Sequence, residues 1–117
     1  MALTTMDTSI LEHEDNKFHV SEADLDVASR GLKAMGHPLR LRILCILASA
    51  KEISVQGLVD QVGTSQSNIS QPLSILRDKR ILTSRKDANK VYYRIDDPNI
   101  LLLMDTMRKA FCAGHSS

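Results

Sequence analysis

The stretch from residue 64 to residue 77 constrains the fold most, because its sequence, TSQSNISQPLSILR, combines a polar start with apolar residues at helical spacing. An apolar side chain at every third or fourth position predicts a helix with one face in a core. Ser65 or Thr64 can cap this helix, since a hydroxyl there accepts a hydrogen bond from an otherwise unpaired backbone amide. The apolar residues of the core-facing side are Ile69, Leu73 and Leu76.

A shorter helix is predicted directly before this one. Ser54 can cap a helix over residues 55–62, and Gly63 supplies a tight turn into the next helix. Two short helices across a glycine-bearing turn form a helix-turn-helix pattern. Short side chains without net charge can approach the floor of a DNA groove, and Asn or Gln can pair with adenine. The residues predicted to contact DNA from the second helix are Ser65, Gln66, Ser67, Asn68, Ser70, Gln71 and Arg77.

Taken alone, such polar residues more often mark a solvated helix start, but the segment that follows favours DNA binding. Leu82–Lys86 and Lys90–Ile95 are predicted as two strands around residues 87–89, where Asp or Asn can adopt a positive φ. A hairpin directly after a helix-turn-helix is a wing. Its basic tip suits contact with phosphate groups, which position a protein without specifying sequence. The wing residues predicted to contact DNA are Arg85, Lys86, Asn89 and Lys90.

Two further helices are predicted before the helix-turn-helix. Ser21 and Asp24 form a variant of the capping box and begin a helix that runs to about Met35. Pro38 can open the second helix at its first position. That helix is apolar on nearly every side, so we expect it to be the buried centre of the domain, with Cys45 in its middle.

A last helix is predicted over Asn99–Cys112, with Asp97 as cap and Pro98 at its first position. Its apolar surface is too wide for one packing partner, because Leu101–Leu103 extend it around the helix. We therefore expect a homodimer in which the first and last helices pair across a two-fold axis, with recognition helices about 34 Å apart. The predicted interface residues are Leu25, Ala28, Leu32, Ile100, Leu103, Met104, Met107 and Phe111.

The charge distribution favours a polyanionic partner. Residues 1–29 hold seven acidic residues and one basic residue, whereas residues 30–117 hold fourteen basic and seven acidic ones. We expect a mostly disordered acidic leader over 1–20, a winged helix-turn-helix domain over 21–113 and a short tail over 114–117. His13 and His19 in the leader are interpreted as solvated.

Composition limits the functions and the cellular location that the chain can have. Aromatic residues make up only 3% of the chain and Trp is absent, which argues against recognition of single strands by base stacking. No segment resembles a signal peptide or a spanning helix, so we expect a cytoplasmic protein without a membrane partner. Its two cysteines are then expected to be reduced at rest.

Three segments together resemble the ArsR/SmtB family of winged-helix repressors: LKAMGHPLRLRILCIL, ISVQGLVDQVGTSQSNISQPLSILRDKRIL and SRKDANKVYYRI. The resemblance covers about residues 23–112. It implies a mainly α fold with a β-hairpin wing, in the order α1-α2-α3-α4-β1-β2-α5, and a homodimer released from operator DNA by an inducer. It also implies that Ser67, Asn68, Ser70, Gln71 and the wing tip 87–90 face DNA.

One residue departs from the pattern of the family. Pro72 lies inside the recognition helix, where a proline removes a backbone hydrogen bond and clashes with the carbonyl of Asn68. We therefore predict a kink or local unwinding at this position.

The metal sites usual in this family look absent. The third helix contains no cysteine, and the last helix offers only Asp105, with His115 beyond its end. A zinc site built from Cys45, Cys112 and His115 would be one ligand short of a closed tetrahedron. We predict neither a metal nor another cofactor, while a metal-responsive regulator with unrecognised ligands stays open as an alternative.

Cys45 and Cys112 instead resemble the dithiol subgroup typified by SqrR, BigR and HlyU, which senses sulfide-derived persulfides or oxidants. The two residues lie 67 positions apart and could meet where the last helix packs on the second. The resemblance implies a small reactive sulfur or oxidant inducer that cross-links the pair. Structural packing is the alternative, because cysteine is among the residues most often buried.

Two other functional classes are weighed against the repressor. An enzyme that uses Cys112 as nucleophile and His115 as base lacks an orienting third group, so we predict no catalytic site. A winged helix used only for protein interaction would lack the steep salt dependence of DNA binding.

Overall fold

The computed structural model describes residues 18–112. Our predictions for most of the leader, including His13, and for the tail, including His115, lie outside the described residues. The chain divides into two units within the first helix, the first ending at Arg30 and the second beginning at Gly31. The division into a leader, a domain and a tail stays a prediction.

Five helices and a small antiparallel sheet make up the described chain, as predicted for a mainly α protein with a wing. The helices are α1 (Glu22–Met35), α2 (Pro38–Ala48), α3 (Val55–Val62), α4 (Gln66–Asp78) and α5 (Pro98–Phe111), and the strands are β1 (Ile53–Ser54), β2 (Thr83–Asp87) and β3 (Lys90–Arg94). The two-residue strand β1 was not predicted.

The helices begin at the predicted capping residues. Oxygen atoms of the side chains of Ser21, Ser54 and Asp97 accept hydrogen bonds of 3.1, 3.1 and 2.8 Å from backbone amides two or three positions ahead. Pro38 occupies the first position of α2, also as predicted, and Nδ1 of His37 caps that helix. Local sequence therefore determines where these helices begin.

The second helix is the centre of the core. Ile43, Leu44 and Leu47 are completely buried, and α2 contacts α3, α4, α5 and β3. Cys45 lies on the exposed side of the same helix. The core residues from the other elements include Leu58, Ile69, Leu73, Leu76, Tyr93, Ile95 and Met104.

The wing is the hairpin of β2 and β3, within a sheet of order β1-β3-β2. Asp87 lies opposite Lys90, so the turn contains only Ala88 and Asn89. Ala88 has a φ of 56°, and no other residue of the turn has a positive φ. The prediction that Asp or Asn adopts a positive φ is therefore wrong, because the turn has only two residues and the first of them is alanine.

The recognition helix α4 continues without interruption from Gln66 to Asp78, so local unwinding at Pro72 is wrong. Pro72 is buried among core residues, and this packing offsets the missing backbone hydrogen bond. A kink stays a prediction. Just before the proline, Oγ of Ser70 donates to the carbonyl of Gln66 at 2.8 Å, a contact that often accompanies bending.

Candidate nucleic-acid interface and thiol pair

The outer face of α4 is polar and exposed at its start. All seven residues predicted to contact DNA from this helix are exposed, whereas the opposite face is buried in the core. Those residues are Ser65, Gln66, Ser67, Asn68, Ser70, Gln71 and Arg77. The core thus holds the helix so that its polar leading edge is free to meet a partner.

Some of these polar side chains also shape the helix start. Oγ of Ser65 accepts a hydrogen bond from the backbone amide of Asn68 at 3.3 Å and lies 3.1 Å from Oγ of Ser67. Nδ2 of Asn68 donates to Oγ1 of Thr64 at 3.2 Å. Ser65 is therefore the cap. The hydrogen bond to Thr64 holds the side-chain amide of Asn68 in one orientation.

The start of α4 and the tip of the wing border one cleft. Gln66 lines this cleft from the helix, and Asn89 and Lys90 line it from the wing. Its volume is about 480 Å³, and Gln56 and Asp60 of α3 form the remaining polar wall. The structure therefore brings together the two predicted parts of a DNA-binding surface.

Arg85 differs from the other predicted wing contacts. Its guanidinium donates two hydrogen bonds to Glu52, at 2.8 and 2.7 Å, instead of standing free at the tip. Lys86 has no ion-pair partner among residues 18–112. Glu52 lies 33 positions from Arg85, beyond any local pattern, so the sequence did not predict this partner.

The two cysteines are free thiols on neighbouring helices. Both Cys45 on α2 and Cys112 at the end of α5 are exposed, and α2 packs against α5. Partial burial raises the pKa of Cys45 above its ordinary value, and repulsion from the thiolate of Cys112 raises it further. Because α2 packs against α5, the two thiols belong to elements that are in direct contact.

A surface pocket of about 260 Å³ opens beside Cys45. Its other wall comes from α5, where Leu101, Asp105 and Arg108 lie at helical spacing on the side that also carries Cys112. Hydrogen bonds from Lys109 and then from Arg108 hold the pKa of Asp105 below its ordinary value. Cys45 therefore borders a charged, solvent-accessible pocket that a small reactant can enter.

The predicted interface residues divide between surface and core. Met104 is only 3% exposed and belongs to the core of the chain itself, which corrects its assignment to a subunit interface. Ile100 and Met107 are partly buried against that core. The exposed members are Leu25, Ala28, Leu32, Leu103 and Phe111. An apolar surface beyond the needs of the core thus remains on α1 and α5.

Residues 18–112 contain no cluster of three His, Cys, Asp or Glu side chains arranged to hold a metal ion. None of the helices described for this chain has the length and apolar character required to cross a lipid bilayer.

Known proteins match both the sequence and the fold. The family described as "Bacterial regulatory protein, arsR family" matches residues 37–84. The chain is 30% identical over 104 residues to the biofilm growth-associated repressor of Xylella fastidiosa (strain 9a5c), which covers 86% of this chain and 90% of the relative. It is 35% identical over 84 residues to the transcriptional activator HlyU of Vibrio cholerae, covering 72% and 77% of the two chains.

The solved structure of HlyU from Vibrio cholerae N16961 superimposes with a TM-score of 0.73 at 33% identity. The match covers 79% of this chain and 99% of HlyU. These similarities agree with the order of elements and with the exposed recognition helix and wing. The chain therefore belongs to the arsR family of bacterial regulatory proteins, a class of DNA-binding transcription regulators and not of enzymes.

Proposed function

We propose that this protein is a dimeric repressor that binds operator DNA when reduced and leaves it when Cys45 and Cys112 become cross-linked. The single observation that carries the proposal is the packing of α2 against α5, which places the exposed thiol of Cys45 beside a pocket whose other wall is the helix that ends at Cys112. A thiol pair that joins two elements can act as a switch when its cross-link favours one arrangement of them.

The DNA-binding half of the proposal is supported by the exposed polar edge of α4 and by the cleft that it shares with the wing. Two such surfaces in a symmetric dimer would enter successive major grooves about 34 Å apart. Gln66 and Gln71 can pair with adenine in the groove, while Lys86 and Lys90 contact phosphate groups.

When the inducer is a persulfide, R–S–SH, the cross-link between Cys45 and Cys112 forms without an external oxidant. One cysteine thiolate attacks the outer sulfur, the thiolate R–S⁻ leaves, and the protein carries Cys–S–SH. The second thiolate attacks the sulfur bonded to the cysteine carbon, HS⁻ leaves, and a disulfide forms. If the second cysteine is itself a persulfide, the same attack releases HS⁻ and gives a trisulfide, which spans a wider gap than a disulfide.

The cross-link would tie the end of α5 to the centre of α2. Since the proposed subunit interface includes Leu103 and Phe111 of α5, a change in the position of this helix alters the distance between the two recognition helices. A mismatch with the spacing of the half-sites then lowers the affinity for the operator.

The test is fluorescence anisotropy with a labelled duplex from the DNA upstream of the protein's own coding region. Reduced protein should bind in the nanomolar range typical of operators, on the order of 10⁻⁸ M or tighter, and treatment with a persulfide donor should weaken binding by at least about 100-fold. Cys45→Ser and Cys112→Ser should bind like reduced protein before and after treatment.

Two controls separate the proposal from its alternatives. Addition of zinc or arsenite to the reduced protein should leave the affinity unchanged, whereas release by either would favour a metal-responsive regulator. In vitro transcription from the same fragment gives the direction of control, and the reduced dimer should lower transcript yield. Equal DNA binding before and after persulfide treatment would refute the thiol switch and leave a regulator with two structural cysteines.

A further inference from the structure

Three side chains connect the outer strands of the sheet across its central strand. Nε and Nη2 of Arg85 on β2 donate to the two carboxylate oxygens of Glu52, at 2.8 and 2.7 Å. The guanidinium carbon of Arg85 lies 4.6 Å from the centre of the ring of Tyr92 on β3. Glu52 directly precedes β1. We call these three residues, Glu52, Arg85 and Tyr92, the wing clamp.

The register of the sheet explains why the three side chains meet. Arg85 lies opposite Tyr92, and Tyr92 lies opposite Ser54 of β1. Directly opposed residues share one face of a sheet, as do residues two positions apart, so Glu52 falls on the same face as Ser54. Ser54 is also the cap of α3. The wing clamp therefore connects the wing to the segment that leads into the helix-turn-helix.

The geometry engages two of the five N–H donors of Arg85 with Glu52, and Nη1 lies 3.7 Å from a carboxylate oxygen of Asp87. Paired, parallel hydrogen bonds to a carboxylate fix the plane of a guanidinium, and stacking on an aromatic ring fixes it further. These hydrogen bonds are the main reason that the pKa of Glu52 lies below its ordinary value, so the pair is charged at neutral pH. The side chain of Glu52 is 22% exposed, compared with 50% for Arg85. Arg85 is thus oriented by Glu52 before any DNA arrives.

We propose that the wing clamp sets the angle of the wing for DNA binding, and that Arg85 is a positioning residue and not a phosphate ligand. The proposal rests on the DNA binding proposed above. Ala88 at the tip lies three residues from Arg85, about 10 Å along an extended strand. Because the tip lies this far from the wing clamp, a small tilt of the strands at Arg85 displaces Asn89 and Lys90 relative to the recognition helix.

The test compares Glu52→Gln and Arg85→Lys with Lys86→Gln. Glu52→Gln removes the charge of the carboxylate but keeps its size, and Arg85→Lys keeps the positive charge but cannot form the paired hydrogen bonds. Lys86 is the matched control, because it is the next residue on β2, points to the opposite face and has no ion-pair partner in residues 18–112.

Affinity is measured over a series of KCl concentrations, with the upstream duplex and with a scrambled duplex of equal length. Both clamp variants should bind the upstream duplex about three- to tenfold more weakly, and the double variant should be no weaker than either single one. Their slope of log K against log salt should equal that of the wild type, since no phosphate contact is lost. Lys86→Gln should make the slope shallower by about 0.9 per protomer.

Tighter binding by Glu52→Gln, together with wild-type affinity of Arg85→Lys, would overturn the proposal and make Arg85 a phosphate ligand that Glu52 restrains.

A measurement without DNA keeps the two proposals separate. Amide hydrogen exchange in β2 and β3 should be faster in both clamp variants than in Lys86→Gln, and equal exchange would overturn the clamp. If the wild type binds neither duplex, the proposed function fails instead.

Discussion

At the scale of single residues, the pKa of Cys45 gives a direct test of whether the two thiols are neighbours. Burial raises this pKa most and the negative charge of Cys112 raises it further, so Cys45 forms its thiolate less readily than an unburied cysteine does. We predict that the rate of alkylation of Cys45 by iodoacetamide rises at a higher pH in the folded protein than in urea. In Cys112→Ser the midpoint should move part of the way back, because only the burial remains.

Mass spectrometry of the peptide that contains Cys45 measures this rate separately from that of Cys112. The sign for stability follows from the same shift. Because the pKa of Cys45 is higher in the folded protein than in the unfolded one, its contribution to the stability is fully present below the unfolded pKa. That contribution is lost as the pH rises through the folded pKa. An identical pH profile in the wild type and in Cys112→Ser would place the sulfur atoms too far apart for the proposed cross-link.

Residue roles were predictable where the determining neighbours are local in sequence. The periodicity of α4 placed Ile69 in the core and left Gln66 exposed, as the structure confirms. The periodicity of α5 was ambiguous, because consecutive leucines widen its apolar side, and Met104 was assigned to the wrong surface. The partner of Arg85 comes from a distant part of the chain, which no periodic pattern can identify.

At the scale of an element, the end of α4 stores backbone strain. The amide of Ile81 donates to the carbonyl of Leu76 and the amide of Arg80 to that of Arg77, both at 2.9 Å, which is the Schellman pattern of helix termination. This pattern needs a left-handed residue at Arg80, whose φ is 62°. Glycine usually occupies such a position because a side chain costs about 1–2 kcal/mol there.

We therefore predict that Arg80→Gly raises the free energy of unfolding by about 1 kcal/mol. Urea unfolding followed by circular dichroism should show a higher midpoint with an unchanged m value. Lys79→Gly is the matched control. Lys79 has an ordinary φ of −84° at the preceding position, so glycine there should lower the stability by about 0.5–1 kcal/mol. Equal destabilisation by both variants would show that Arg80 is not strained.

Element boundaries were predictable to the extent that capping is local. Ser21, Ser54 and Asp97 each accept a hydrogen bond from an amide within the next turn, so the residue types alone identify three helix starts. The strand β1 was not predictable, because Ile53 and Ser54 form a strand only through pairing with Tyr93 and Tyr92. Similarly, the packing that keeps Pro72 within a continuous helix depends on other elements.

At the scale of the whole molecule, the proposed switch depends on a second copy of the chain. A single helix-turn-helix contacts one half-site, and spacing between half-sites exists only in a dimer. The apolar side chains left exposed on α5 supply surface for such an interface, with Leu103 39% and Phe111 75% exposed. Large exposed apolar groups of this kind are typical of interaction sites.

We predict that Leu103→Glu converts the proposed dimer to a folded monomer. A carboxylate buried without a partner in an apolar interface costs several kcal/mol, so the dissociation constant of the dimer should rise by about 100-fold or more. The fold should persist, because Leu103 is exposed on the single chain and its substitution leaves no cavity. Sedimentation velocity measures the association state, and circular dichroism measures the helix content.

Gln61→Glu, an exposed polar position on α3, introduces the same charge outside the proposed interface and should leave the dimer intact. The Leu103→Glu monomer should bind the upstream duplex much more weakly than the dimer, because linkage of two recognition helices multiplies their affinities through a high effective concentration. Its residual binding should also no longer respond to persulfide, since the cross-link acts by changing the spacing between subunits. A monomer that is still released by persulfide would instead place the effect within one chain, where the connection from α5 through α2 to α4 would carry it.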